Sequence, residues 1–135
     1  MSWLQAGQII IGQRETEHVR IEVLGPVSDS FWSSNVEVAC GIWKGSFDWQ
    51  IYEGELHRFG QEVRELHRRL CGTAVLEPLE PSLTLKMVGD GKGHITVTGR
   101  AEADFSANTY LVFRFELDQT ELPAIAAALL AADPA

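Results

Sequence analysis

Positive charge is what this chain has least of. Its 135 residues carry eleven Lys plus Arg against nineteen Asp plus Glu, a formal net charge of −8 at pH 7. Nucleic-acid partners demand a basic footprint to neutralise phosphates, so the deficit argues against DNA or RNA binding. The same acidity favours solubility and suits docking onto a basic protein surface. Long apolar runs are missing too, none approaching the ~20 residues of a membrane helix. The opening MSWLQAGQIIIGQRETE has no basic region ahead of its short apolar run, unlike a secretory signal. The expectation is a cytoplasmic protein with no membrane partner.

Cysteine is scarce: Cys40 and Cys71 sit in separate apolar segments and match no zinc pattern, which calls for close Cys or His pairs. In a reducing compartment they read as two small buried hydrophobes. No serine has nucleophile-elbow context, since Gly45-Ser46-Phe47 lacks the G-x-S-x-G frame. His57 and His67 lie almost a quarter-turn apart on a helix of about 3.6 residues per turn, so they do not form the i, i+4 pair of a zinc helix. No catalytic, cofactor-binding or metal-binding residue is assigned.

What the sequence does have is alternation. Val19, Ile21 and Val23 share one face of a strand, as do Val36, Val38, Cys40 and Ile42. Lys44-Gly45-Ser46 supplies turn chemistry, and Phe47, Trp49 and Ile51 resume the apolar register, which predicts a β-hairpin. Trp43 alternates out of register with Ile42 and is expected on the other face or a rim. Further strands are predicted at Leu83/Leu85/Met87, Ile95/Val97 and Leu111/Phe113/Phe115/Leu117. The least patterned segment, residues 24–35 (LGPVSDSFWSSN), reads as a loop carrying two aromatics.

Over residues 55–71 the period changes. Leu56, Phe59, Val63, Leu66 and Leu70 form one stripe of an amphipathic helix. Glu53 and Glu55 at its start, Arg68 and Arg69 in its last turn and Gly72 beyond suit the macrodipole and a glycine stop. Four arginines set against Glu55, Glu62 and Glu65 leave this helix a net charge of only +1, a solvated face rather than a nucleic-acid site. Gly60 costs it roughly 1 kcal/mol relative to Ala, so tertiary packing must carry it. Asp118 or Thr120 can cap a last short helix over about residues 121–132. No internal repeat is visible. The class is α+β: a single domain, 1–135, with a mainly antiparallel sheet packed against one long amphipathic helix plus a short C-terminal helix.

The stretch Val88-Gly89-Asp90-Gly91-Lys92-Gly93-His94 looks built to hold a ligand. Its glycine spacing is wrong for a P-loop, no Ser or Thr follows Lys92, and the next segment alternates as a strand. Asp90 is the sole calcium-type oxygen ligand in it. A glycine-rich hairpin turn remains, with His94 opening the next strand and pointing away from Ile95 and Val97.

The chain from the helix onward resembles the bacterial immunity-protein family named after WapI. The resemblance is carried by LHRFGQEVRELHRRLCGTAVLEPLEPSLTLKMVGDGKGHITVTGRA and TYLVFRFELDQTELPAI, and spans about residues 35–130. Its sharpest motifs are Gly89–Ile95 and Phe115–Pro123. The resemblance implies a non-enzymatic protein that binds and neutralises a cognate secreted toxin domain, such as a nuclease. The acidic balance fits, because carboxylates can imitate phosphates in a basic nuclease cleft. Candidate partner-binding residues are Asp29, Phe31, Trp32, Glu53, Glu102 and Asp104, chosen as acidic or aromatic and loop-borne. The competing expectation is a small-ligand-binding domain with a pocket between the sheet and the 55–71 helix.

Overall fold

Alternating side chains build two sheets rather than one. The computed structural model describes residues 7–13 and 15–132. In the first sheet β1 (Gln8–Gly12), β2 (Glu17–Pro26), β3 (Phe31–Cys40) and β4 (Trp43–Tyr52) form an antiparallel meander in that order. The second sheet repeats the plan with β5 (Cys71–Leu76), β6 (Leu83–Asp90), β7 (His94–Ala101) and β8 (Leu111–Asp118). Each meander is followed by a helix, α1 (Glu55–Arg69) or α2 (Leu122–Ala132). The architecture is therefore a four-strands-plus-helix unit used twice, although the sequence shows no repeat. A fold unit can recur on a shared pattern of apolar positions while the residues filling them differ.

Register explains the burial. Ile9 pairs with Ile21 and Ile11 with Val19; Val19 in turn faces Val38, and Ile21 faces Val36, all essentially inaccessible to water. Leu85, Met87, Ile95, Val97, Phe113 and Phe115 do the same in the second sheet, and the two inner faces contribute to one apolar core with both helices. β1 and β5 were not legible as strands, because Ile9-Ile10-Ile11 does not alternate and Cys71-Gly72-Thr73 dilutes the apolar signal. The loop expected over 24–35 shrinks to the turn between Pro26 and Phe31, since Phe31 and Trp32 already belong to β3. The β3–β4 turn also moves: Gly41 (φ 62) and Ile42 make it, and Lys44–Ser46 lie inside β4. A glycine in the first central position of a two-residue turn matches the right-handed twist of the strands it joins. Of the two cysteines expected to be buried, Cys40 is half-buried and Cys71 exposed. Trp3 lies outside the described residues.

The helices form a matched pair, not one long and one short. α1 has fifteen residues, and the helical stretch Gln119–Ala132, a 3-10 turn running into α2, has fourteen. α1 buries Leu56, Phe59, Val63 and Leu66 as its stripe predicts. Its stop is not Gly72, which lies in β5, but Leu70, held left-handed at φ 61 with its N–H bonded to the Leu66 carbonyl. Gly60 marks the helix crossing, where an added Cβ would lie 2.9 Å from Leu129 Cβ. Close approach of the two helices is thus the packing that offsets the poor helix propensity of glycine. Asp118 accepts the Thr120 N–H while Glu121 accepts the Asp118 N–H, a capping box that starts the second helical stretch.

The glycine-rich turn ties these parts together. Asp90 Oδ1 accepts the N–H groups of Lys92 (2.7 Å) and His94 (3.1 Å), and its Oδ2 lies 3.0 Å from His94 Nδ1. Those backbone donors, Lys92 first and then His94, draw the Asp90 pKa from 3.8 down to about 2. Gly91 and Gly93 hold φ of 80 and 99, which a side chain would resist. The Gly91 N–H bonds to the Leu70 carbonyl at the end of α1, and the Gly93 carbonyl accepts the Gln119 N–H at the start of the second helical stretch. A motif that reads like a ligand loop is a clamp between the two helices.

Candidate functional site

The inner faces of the two sheets do not stay in contact along their whole length. Trp43, Gly45, Phe47, Trp49 and Ile51 alternate on one side of β4, so Trp43, expected on the other face or a rim, stands at the rim of the inner face. Trp49 and Ile51 are buried, whereas Trp43 is 64% exposed because no second-sheet layer covers it. There the sheets part into an apolar cleft of about 370 Å³. Val38, Trp43, Gly45 and Phe47 form one wall, and Ala101, Tyr110 and Leu111 the other.

The Tyr110 wall is braced from behind. The Arg100 guanidinium stacks 3.8 Å from the Tyr110 ring centroid, and Glu102 accepts from Arg100 at 3.2 Å. Glu102 is only 9% exposed, and its own N–H bonds to the Ser82 carbonyl. Glu102, one of the six candidate contact residues, fixes the arginine that fixes the tyrosine.

A second, polar cleft of about 660 Å³ adjoins the first across Ala103. Glu80 and Asp104 line it, both exposed, with Phe105 beside them; Asp48 borders it from β4 but turns to the outer face, where it accepts from Asn35 Nδ2 at 3.2 Å. Trp49 Nε1 donates to the Glu80 carbonyl at 2.7 Å and so ties that segment to β4. Asp104 caps the 3-10 turn Phe105–Ala107, accepting from the Ser106 hydroxyl at 2.6 Å and its N–H at 3.0 Å. Those two bonds, the hydroxyl first, hold the Asp104 carboxyl below the ordinary aspartate range and keep it anionic.

The six predicted residues fall into two groups. Asp29, Phe31, Trp32 and Glu53 lie together where the β2–β3 turn meets the start of α1. The Glu53 N–H bonds to the Ser30 carbonyl at 2.8 Å, and Phe31 meets Tyr52 edge-on at 5.2 Å. Phe31 and Trp32 are half-buried strand residues, not loop anchors. Asp104 reaches the polar cleft, and Glu102 stands behind it. Missed by sequence reasoning were Trp43, Tyr110 and Glu80. Trp43 carried a signal, an aromatic two residues from a glycine in alternating register, but the misplaced turn hid it.

A groove of about 360 Å³ does run between α1 and β5. Two of its three carboxylates are engaged by backbone: Glu62 accepts the Val75 N–H at 2.9 Å, and Glu55 accepts those of Tyr52 and Leu79. On the outer face of the first sheet, buried His18 lies 2.8 Å from Glu37, which also reaches Lys44 at 3.7 Å. The His18 hydrogen bond, partly opposed by burial, lowers the Glu37 pKa. Among the described residues, no group of three or more His, Cys, Asp and Glu could hold a metal ion, and no helix is long and apolar enough to cross a membrane.

The model of the family described as "Immunity protein WapI-like family" matches residues 9–132. The chain belongs to that family. The match starts in β1, so WapI-like character covers the first sheet as well as the region from 35 onward where the resemblance was legible. No curated protein and no solved structure gives a match. Family membership suggests an immunity function and implies a protein partner such as a toxin, in a family that is in general non-enzymatic.

Proposed function

We propose that this WapI-like chain is a cytoplasmic, cofactor-free immunity protein that binds a cognate secreted toxin domain, a nuclease, and blocks it by occlusion. One observation carries the reading: exposed aromatics and exposed carboxylates converge where the two sheets part. Aromatic anchors beside a charged rim are the composition of protein-binding hot spots. The carboxylates Glu80 and Asp104 suit the basic cleft with which a nuclease holds phosphates, and a net charge of −8 speeds the encounter. Asp29, Phe31, Trp32 and Glu53 form a second candidate contact patch, and Glu102 acts through Arg100.

Co-expression with a toxin domain encoded by the neighbouring gene tests this. Growth should be rescued and a stable complex should co-purify. Glu80→Lys combined with Asp104→Lys should slow association roughly 10-fold or more at low salt, in keeping with electrostatic steering. No rescue together with no complex would refute the reading.

A further inference from the structure

The apolar cleft has a gap in its wall. Gly45 faces Val38 across the β3–β4 register, between Trp43 and Phe47 on the inner side of β4. A Cβ built on Gly45 meets nothing within 4 Å, and its φ lies outside the left-handed range, so a side chain there would be tolerated. The surroundings suit one: Trp43 and Tyr110 stand over the opening, and Val38, Phe47 and Leu111 line the depth. The two basic groups nearby are engaged within the chain, Lys44 by Glu37 and Arg100 by Glu102. What the adjoining cleft offers a visitor is therefore the negative charge of Glu80 and Asp104.

We propose that the gap over Gly45 is a receptor for one large apolar side chain of the partner, carried on a segment whose adjacent residues are Lys or Arg. This rests on the immunity reading and names the chemistry the toxin domain must present. The apolar side chain fills the space left by the missing Cβ, and the flanking cations meet the acidic cleft across Ala103. A second copy of this chain is the poorer occupant, because it would bring carboxylates against carboxylates.

The test uses two blocked peptides, acetyl-Arg-Arg-Trp-Arg-Arg-amide and the same peptide with Glu for Arg, titrated into the isotope-labelled protein by NMR. Shifts should concentrate on Gly45, Trp43 and Tyr110 with the basic peptide and be absent with the acidic one. Gly45→Phe, or Gly45→Leu should that variant not fold, should weaken binding roughly tenfold or more, and Gly45→Ala should weaken it less, as expected for a pocket filled by degrees. Neutralising Glu80 and Asp104 together should weaken binding and flatten its salt dependence. Shifts scattered over the surface or centred on Phe31 and Trp32, or undiminished binding by the Phe or Leu variant, would overturn the proposal. The two readings fail separately. A toxin domain bound equally by wild type and the filled variant sinks the receptor and leaves immunity standing. A toxin ignored by wild type, with the basic peptide still seated over Gly45, sinks immunity alone.

Discussion

Replacing Gly60 with alanine should destabilise this protein, although glycine is the weaker helix former. Within α1 the exchange gains roughly 1 kcal/mol of helix propensity. The new Cβ, however, would lie 2.9 Å from Leu129 Cβ and 3.1 and 3.2 Å from Leu130 Cγ and Cδ2. The Leu129 contact is the decisive one, because a Cβ is fixed to its backbone and cannot swing aside. Relief requires α1 and α2 to separate by a few tenths of an ångström where Gly60 meets Leu129, and overpacking of this kind costs about 1–3 kcal/mol. The net expectation is a loss of about 1 kcal/mol, or roughly 3–6 °C in Tm for a chain of this length. Urea unfolding measures it. Gly45→Ala serves as the control, the same exchange in open space, where removal of a strand glycine should gain about 0.5–1 kcal/mol. Adding Leu130→Ala should return part of the Gly60→Ala loss but leave the Leu129 contact. Stabilisation of Gly60→Ala by the full propensity gain would show that the helices part freely and that close packing does not explain the glycine.

Other outcomes follow from single contacts. Leu70→Val should cost about 1–2 kcal/mol, because a β-branched residue resists the left-handed φ of 61 that ends α1; chemical denaturation reads it, and an unchanged midpoint would mean the helix end simply relaxes. Trp49→Phe leaves the Glu80 carbonyl without its 2.7 Å donor and should cost about 1–2 kcal/mol, with faster hydrogen exchange around Ser82 as the local sign. Asp90 has a folded-state pKa of about 2 against an ordinary 3.8. Its contribution to stability is thus complete above the ordinary value and lost as pH falls towards 2. Asp90→Asn should flatten the acid limb of a Tm-versus-pH curve, and an unaltered limb would show that the turn's charge is not linked to folding.

Much of the fold was legible because burial has a period. Ile21, Val36, Val38 and Val97 announced strands, and Leu56, Phe59, Val63 and Leu66 announced a helix, since each pattern matches one geometry. Asp118 announced its cap. Gly89–Ile95 announced a turn, though not that its backbone would hold Leu70 and Gln119. The candidate site was far less legible. Asp104 was named and borders the polar cleft, Trp43 was expected on the other face or a rim and stands at the rim of the inner face, and Glu102 was named and stands behind Tyr110, bonded to Arg100. Glu80 and Tyr110 come from segments remote in sequence, and nothing local marks them as neighbours.

By itself the sequence determined the α+β class, the positions of most strands and of both helices, the family, and an acidic character suited to a basic partner. These rest on local periodicity, short motifs and summed charge, which need no knowledge of distant contacts. Tertiary structure alone decided that the strands divide into two meanders, that Gly60 is a helix crossing, and that Glu102 braces Tyr110 through Arg100. It alone decided that the sheets part beside Gly45. Packing joins residues far apart in the chain, and the space left between two sheets is a property of neither strand that borders it.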